Sequence, residues 1–161
     1  MVAPKIPTNI IIMKILQVNS FYPLWSTGKI THDLHIMLQK EQHQSIVCYG
    51  RGPIIEEDCI YKICTERLSR LNRAWIRISG IMYGGHCLST TKLIQIIKKE
   101  KPDIVHLQCI NSSFVNIYRL ITYLKNHQIK TILTLHAEFM YTANCGYAFD
   151  CNKWETGCGH C

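Results

Sequence analysis

Two histidines, a Ser-Thr-Gly turn and a group of cysteines are the parts of this sequence best suited to chemistry. His106 sits in the apolar run Ile104-Val105-His106-Leu107, and His136 closes the run Ile129 to Leu135. A histidine at the end of a strand can move a proton, polarise a hydroxyl or orient a substrate. One alone is more often a core histidine bonded to a backbone carbonyl. Two at strand ends shift the balance toward a site. Ser26-Thr27-Gly28-Lys29 precedes a helical pattern. Backbone amides at a helix start attract phosphate, and glycine permits close approach. An ordinary Ser/Thr N-cap would use the same residues. The segment is not a P-loop, because Pro23 stands where that motif needs glycine and Ile30 where it needs Ser or Thr. Glu138 is the acidic residue nearest the expected cleft in sequence, either a base or a solvated carboxylate.

Cys145, Cys151, Cys158 and Cys161 follow one another with five, six and two residues between them. Four thiolates can hold zinc tetrahedrally. Only the last pair has a standard CxxC spacing, and His160 is a further candidate ligand. Such a centre would be a structural clamp with no open coordination position, hence not catalytic. The alternative is a set of reduced thiols in a surface loop.

These residues are scattered, so a scaffold must gather them. The near-continuous apolar run Ile10 to Val18 reads as a buried parallel strand. A loop from Asn19 to Gly28 and a helix to about His43 follow. Ser45 to Tyr49 predicts a second strand, and Ile60 to Cys64 a short one. An arginine-rich helix places Leu68, Leu71, Trp75 and Ile78 on one face, with Arg67, Arg70, Arg73 and Arg77 as a neighbouring stripe. A helix from about Ser89 to Lys101 precedes the strand of His106, and one from about Ser113 to Asn126 precedes the strand ending at His136. Strands alternating with helices predict a Rossmann-like α/β fold, a parallel sheet with helices on both faces. Ligands in such sheets bind outside the carboxyl ends of the strands. That rule gathers Asn19 to Gly28, Gly50 to Gly52, His106 to Asn111 and His136 to Glu138 on one edge.

Length and composition bound the rest. The chain has 161 residues, 47% hydrophobic and 18% charged, which fits about one globular domain. No apolar run reaches the roughly 20 residues that span a bilayer. The net charge of +7 favours an anionic partner, whether phosphate, a membrane surface or nucleic acid. Residues 1–12 read as a dispensable leader rather than a signal peptide, with Met13 as a candidate start. The expected compartment is therefore the cytoplasm, where scattered disulfides do not persist. The expected organisation is one Rossmann-like domain over 13–161 with a Cys-rich loop over 141–161.

The motifs resemble a known family. MKILQVNS, STGKI, CYGRG, KPDIVHLQ and TLHAEFMYTANCGYAFDCNKWETGCGHC together look like the N-terminal domain of family 4 glycosyltransferases of the GT-B fold. They are similar to the branch that assembles colanic acid and other exopolysaccharides. The resemblance implies transfer of a sugar from a nucleoside-diphosphate sugar to a saccharide or lipid-linked acceptor, with retention at the anomeric carbon. It implies no cofactor for catalysis. It places Ser26, Thr27 and Gly28 by the donor diphosphate, His136 by the acceptor and reacting sugar as the catalytic residue, and His106 in the strand leading to the same cleft. It also implies peripheral membrane contact at the inner face of the cell membrane, which the Arg67–Arg77 stripe would suit. Ala137 and Gln108 stand where the family has a carboxylate and a histidine. The chain is expected to be cut inside its cysteine segment, without the second Rossmann-like domain and its Glu-x7-Glu motif, and not to turn over alone. The competing readings are a zinc-stabilised basic module for nucleic acid and a non-catalytic remnant. Against nucleic acid, the basic residues spread over several helices without interleaved aromatics.

Overall fold

The computed structural model describes residues 11–157 except 82, 143 and 144. Five strands form one all-parallel sheet: β1 (Lys14–Phe21), β2 (Gln44–Arg51), β3 (Ile60–Lys62), β4 (Ile104–Leu107) and β5 (Lys130–Leu133). Their spatial order is β3-β2-β1-β4-β5. The helices are α1 (Trp25–Lys40), α2 (Glu66–Ser79), α3 (Cys87–Glu100), α4 (Ile117–Asn126) and two single turns, α5 (Phe139–Thr142) and α6 (Lys153–Thr156). The Rossmann-like α/β fold expected from the sequence is present.

Register puts like side chains on like faces. Leu16 pairs with Ile46 on one side and Val105 on the other. With Val18, Cys48 and Leu107 they make an apolar face, sealed by Leu93 and Ile97 of α3, Leu120 and Leu124 of α4, and Phe114. Each large aliphatic side chain buried here contributes about 1.5–3 kcal/mol. The opposite face carries α1 across β1 and β2. There Tyr22, Val47, Tyr49 and Ile60 form a smaller cluster.

Between that cluster and β4 the same face is polar. Gln17, Asn19, Thr31, His35, Ser45 and Gln108 are all buried. Gln108 Nε2 donates to Gln17 Oε1 at 2.9 Å, and Gln17 Nε2 donates to Ser45 Oγ at 3.2 Å. His35 Nδ1 lies 2.8 Å from the same hydroxyl. Burial, then the neighbouring His32, lowers the His35 pKa, so its ring stays neutral. Asn19 Nδ2 donates to Thr31 Oγ1 at 2.8 Å, while Asn19 Oδ1 accepts from the backbone of Cys109 at 3.2 Å. Buried polar groups are tolerated when paired in this way.

Several boundaries differ from expectation: α4 begins at Ile117 rather than about Ser113, and β5 ends at Leu133 rather than Leu135. β1 continues to Phe21, and α1 begins at Trp25 rather than after Gly28. The run from Asn19 to Phe21 looks like loop because it is polar, yet its polar atoms are paired inside the network. Gly28 therefore sits within the first turns of α1. A Cβ there would stand 3.2 Å from Phe21 O and 3.3 Å from the Pro23 carbonyl carbon. The absence of a side chain lets α1 close onto the end of β1. Of the apolar face read on α2, Leu68 packs against the core while Leu71, Trp75 and Ile78 are exposed. The fully buried residue of α2 is Ser69, which donates to Ser113 O at 3.0 Å.

Candidate functional site

Strand order reverses between β1 and β4, and the segments leaving their carboxyl ends diverge. In open α/β sheets this is where ligands bind. A cleft of about 500 Å³ occupies the position. One wall comes from Ser20 and Phe21 at the end of β1 and from Trp25, Ser26 and Thr27 in the first turn of α1. The floor is the segment after β4, through Cys109, Asn111 and Ser112. The far wall is His136 and Ala137 after β5, with Gly146 and Tyr147.

The start of α1 is a donor surface. Leu24 occupies the N-cap position and offers no side-chain cap. The Ser/Thr cap weighed from the sequence is therefore not formed: Ser26 and Thr27 lie inside the helix, past the cap. The first amides of a helix lack intrahelical partners and carry the positive end of its dipole. Trp25 holds φ at +66°. A bulky residue in that region is strained, a feature concentrated at functional sites. The Tyr22–Pro23 peptide just before it is cis.

Two buried polar atoms at the cleft are unpaired among the described residues. They are Ser20 Oγ, on a residue with no exposed surface, and His136 Nε2. Unpaired buried polar atoms are uncommon, and at a cleft wall they suit a polar ligand. No carboxylate lines the cleft among the described residues. The wall thus offers hydroxyls, amides, one imidazole and one thiol. Such a set favours an anion and supplies neither a carboxylate nucleophile nor a carboxylate base.

Of the residues singled out from the sequence, Ser26, Thr27 and His136 meet in this cleft. Gly28 underlies its wall without lining it. His106 sits one strand back, its Nε2 2.7 Å from Thr134 Oγ1. Burial, then the nearby His136, lowers the His106 pKa. Glu138 turns away, its carboxylate accepting from the backbone of Ala148. That contact pins the following segment beside His136, whose carbonyl Tyr147 also reaches at 3.4 Å. Ala137 does line the cleft, whereas Gln108 belongs to the buried network. Gly50 to Gly52 does not line it either: Arg51 stacks 4.8 Å over the Phe21 ring and pairs with Glu66 at 3.6 Å. Cys145 and Cys151 are free thiols, the second exposed. Cys158, Cys161 and His160 lie outside the described residues. No group of three or more metal-type side chains comes together among those described.

Sequence reasoning put Ser20, Cys109 and Asn111 in segments on the ligand edge without singling them out, and it missed Ser112. Ser20 was hidden by ending the strand too early. The signal available was a polar residue, Gln17, inside a strongly apolar run, which marks a strand face that is polar but still buried. No family model matches the chain, and no curated protein matches it significantly.

Proposed function

We propose that this chain is the acceptor-side domain of a retaining glycosyltransferase, acting in surface polysaccharide synthesis on a nucleoside-diphosphate sugar. The observation that carries the reading is the convergence of the uncapped α1 N-terminus with His136 across the switch-point cleft. Helix amides and the Ser26 and Thr27 hydroxyls would stabilise the negative charge that grows on a leaving diphosphate. His136 lies across the cleft, where its imidazole would orient the acceptor hydroxyl or the reacting sugar. The lack of a lining carboxylate among the described residues fits a wall built for a diphosphate. The resemblance carried by the motifs points the same way, and in that family the nucleotide is gripped by a second domain.

The test is binding of uridine diphosphate, followed through its phosphorus resonances. A saturable shift with Kd from about 0.1 to a few mM is expected for half a cleft. Ser26→Pro would leave the helix start intact, since proline suits the first turn, while removing one amide and one hydroxyl. Weaker binding to this variant is the expected outcome. No saturable shift, or a shift indifferent to both Ser26→Pro and His136→Ala, overturns the proposal.

A further inference from the structure

His86 is a buried ring on the wall of a small cavity beside the cleft floor. It is 2% exposed, and its Nε2 finds no hydrogen-bond partner among the described residues. Its neighbours decide where the ring proton lies. The His86 backbone N–H donates to Asn72 Oδ1 at 3.2 Å. That contact orients the Asn72 amide, so Asn72 Nδ2 donates to His86 Nδ1 at 2.6 Å. His86 Nδ1 is therefore an acceptor and carries no hydrogen. Burial, then the charge of Arg73, keeps the ring neutral. Its single proton is on Nε2, a buried donor that no group of the described chain accepts from. Such donors are uncommon in folded proteins, and an acceptor from outside the chain would satisfy this one.

The cavity has a volume of about 180 Å³. Arg73 and Arg77 of α2, Tyr83 and His86 before α3, and Ser112 and Ser113 after β4 line it. No carboxylate lines it among the described residues. From Arg67 to Lys99 the sequence holds no acidic residue, so no local carboxylate competes for the two arginines. Neither arginine forms an ion pair among the described residues. Arg73 Nη1 donates to Ser69 Oγ at 3.0 Å, which fixes the side chain and leaves its other N–H groups for a ligand. Ser69 Oγ in turn donates to Ser113 O at 3.0 Å, and Phe114 N donates to Ser112 O at 2.8 Å. The wall is thus built before anything binds.

One imidazole N–H and two guanidinium groups around one cavity call for an acceptor that carries negative charge. Size narrows the choice. At about 30 Å³ for each water, the cavity has room for about six. That admits a tetrahedral oxyanion with some water. It is well below the roughly 300 Å³ at which pockets for larger organic ligands begin. Asn111 and Ser112 border both this cavity and the switch-point cleft. The start of α1 does not line it, so its ligand is not the diphosphate assigned to the cleft.

We propose that this cavity binds a phosphate-sized oxyanion through His86 Nε2–H, Arg73 and Arg77, and that the bound ion ties α2 to the floor of the switch-point cleft. The donors are separate from those at the α1 start, so the proposal does not rest on the transferase reading.

Titration of inorganic phosphate into the chain labelled with nitrogen-15 histidine tests it, in about 0.15 M salt to screen exposed charges. A saturable shift of the His86 Nε2 resonance is expected, with Kd from about 0.1 to a few mM. Arg77→Gln, at an exposed position, should raise Kd at least about fivefold. Arg70→Gln makes the same charge change on α2 outside the cavity and should raise it less than about twofold. Circular dichroism checks that both variants keep the fold. Methyl phosphate separates two sources of the oxyanion. Binding as tight as that of phosphate assigns the site to a phosphoester, and binding at least about tenfold weaker assigns it to the free ion. No saturable shift at His86 up to about 20 mM phosphate overturns the proposal. Equal losses in Arg77→Gln and Arg70→Gln overturn it too, since they would reduce the effect to diffuse charge. Phosphate binding lost in Ser26→Pro but kept in Arg77→Gln would assign the ion to the cleft and overturn it as well.

Discussion

His86 occupies the N-cap position of α3 and is almost wholly buried. Burial, and then the charge of Arg73 beside it, brings its pKa down to about 4. In the unfolded chain it titrates near its ordinary value of about 6.5. Between these two values the unfolded chain takes up a proton that the folded chain refuses. Stability is therefore full above pH 6.5 and falls as pH drops toward 4. His35 and His106 are shifted in the same direction and add to the loss. Urea unfolding at pH 7.5 and 4.5 should show the decline, and His86→Gln should abolish about 2–3 kcal/mol of it. A pH-independent midpoint would show that these rings accept protons in place. A second residue-scale prediction concerns Gly50, where a Cβ would overlap the Phe114 ring. Gly50→Ala should cost about 1–3 kcal/mol, read from the same unfolding curves. Histidines at strand ends were legible in the sequence because a ring after an apolar run is conspicuous. Their partners were not, since Thr134, Tyr147 and the Glu138 contact depend on how separate segments meet.

At the scale of elements, the polar network ties α1, β1, β2 and the segment after β4 into one frame. Asn19 alone joins β1 to α1 and to the backbone of Cys109, the two sides of the cleft. Asn19→Ala leaves that amide without its partner and should cost about 1–3 kcal/mol. The same change should weaken diphosphate binding by loosening the α1 start against the cleft floor. Diphosphate binding at full wild-type strength in a folded Asn19→Ala protein would limit the residue to stability. Gln17 and Gln108 allow a sharper test. Either single change to Leu strands the other amide, whereas the double change strands neither. Ser45 keeps His35, and Thr31 keeps Thr27 O at 2.9 Å. The double variant should therefore be no less stable than the worse single variant, a non-additivity that a double-mutant cycle measures. The strands and helices themselves were legible from apolar periodicity. The start of α1 was not, because Asn19, Ser20 and the Ser26-Thr27-Gly28 turn have loop-like composition. The orientation of α2 was not legible either: periodicity finds an apolar side but does not say whether it faces core or solvent.

At the scale of the whole molecule, a parallel sheet with helices on both faces follows from βαβ succession and right-handed crossovers, so the fold class was readable before any contact was known, whereas the strand order was not. No described helix is long and apolar enough to cross a membrane. The cysteine clamp remains a proposal, testable by metal analysis of the freshly purified chain. About one equivalent of zinc is expected, and less than half an equivalent counts against it. The buried network has a further consequence, in time rather than in space. Gln17 finds Gln108 across 91 residues, and Asn19 finds Cys109 across 90. During synthesis the central strand must wait for more than half of the chain before its amides are satisfied. Until then the early β1-α1-β2 unit holds unmet donors and acceptors on the face it must bury. Residues near the start of the chain therefore gain their stability only on the arrival of β4, which makes the folding of this domain a late, collective event.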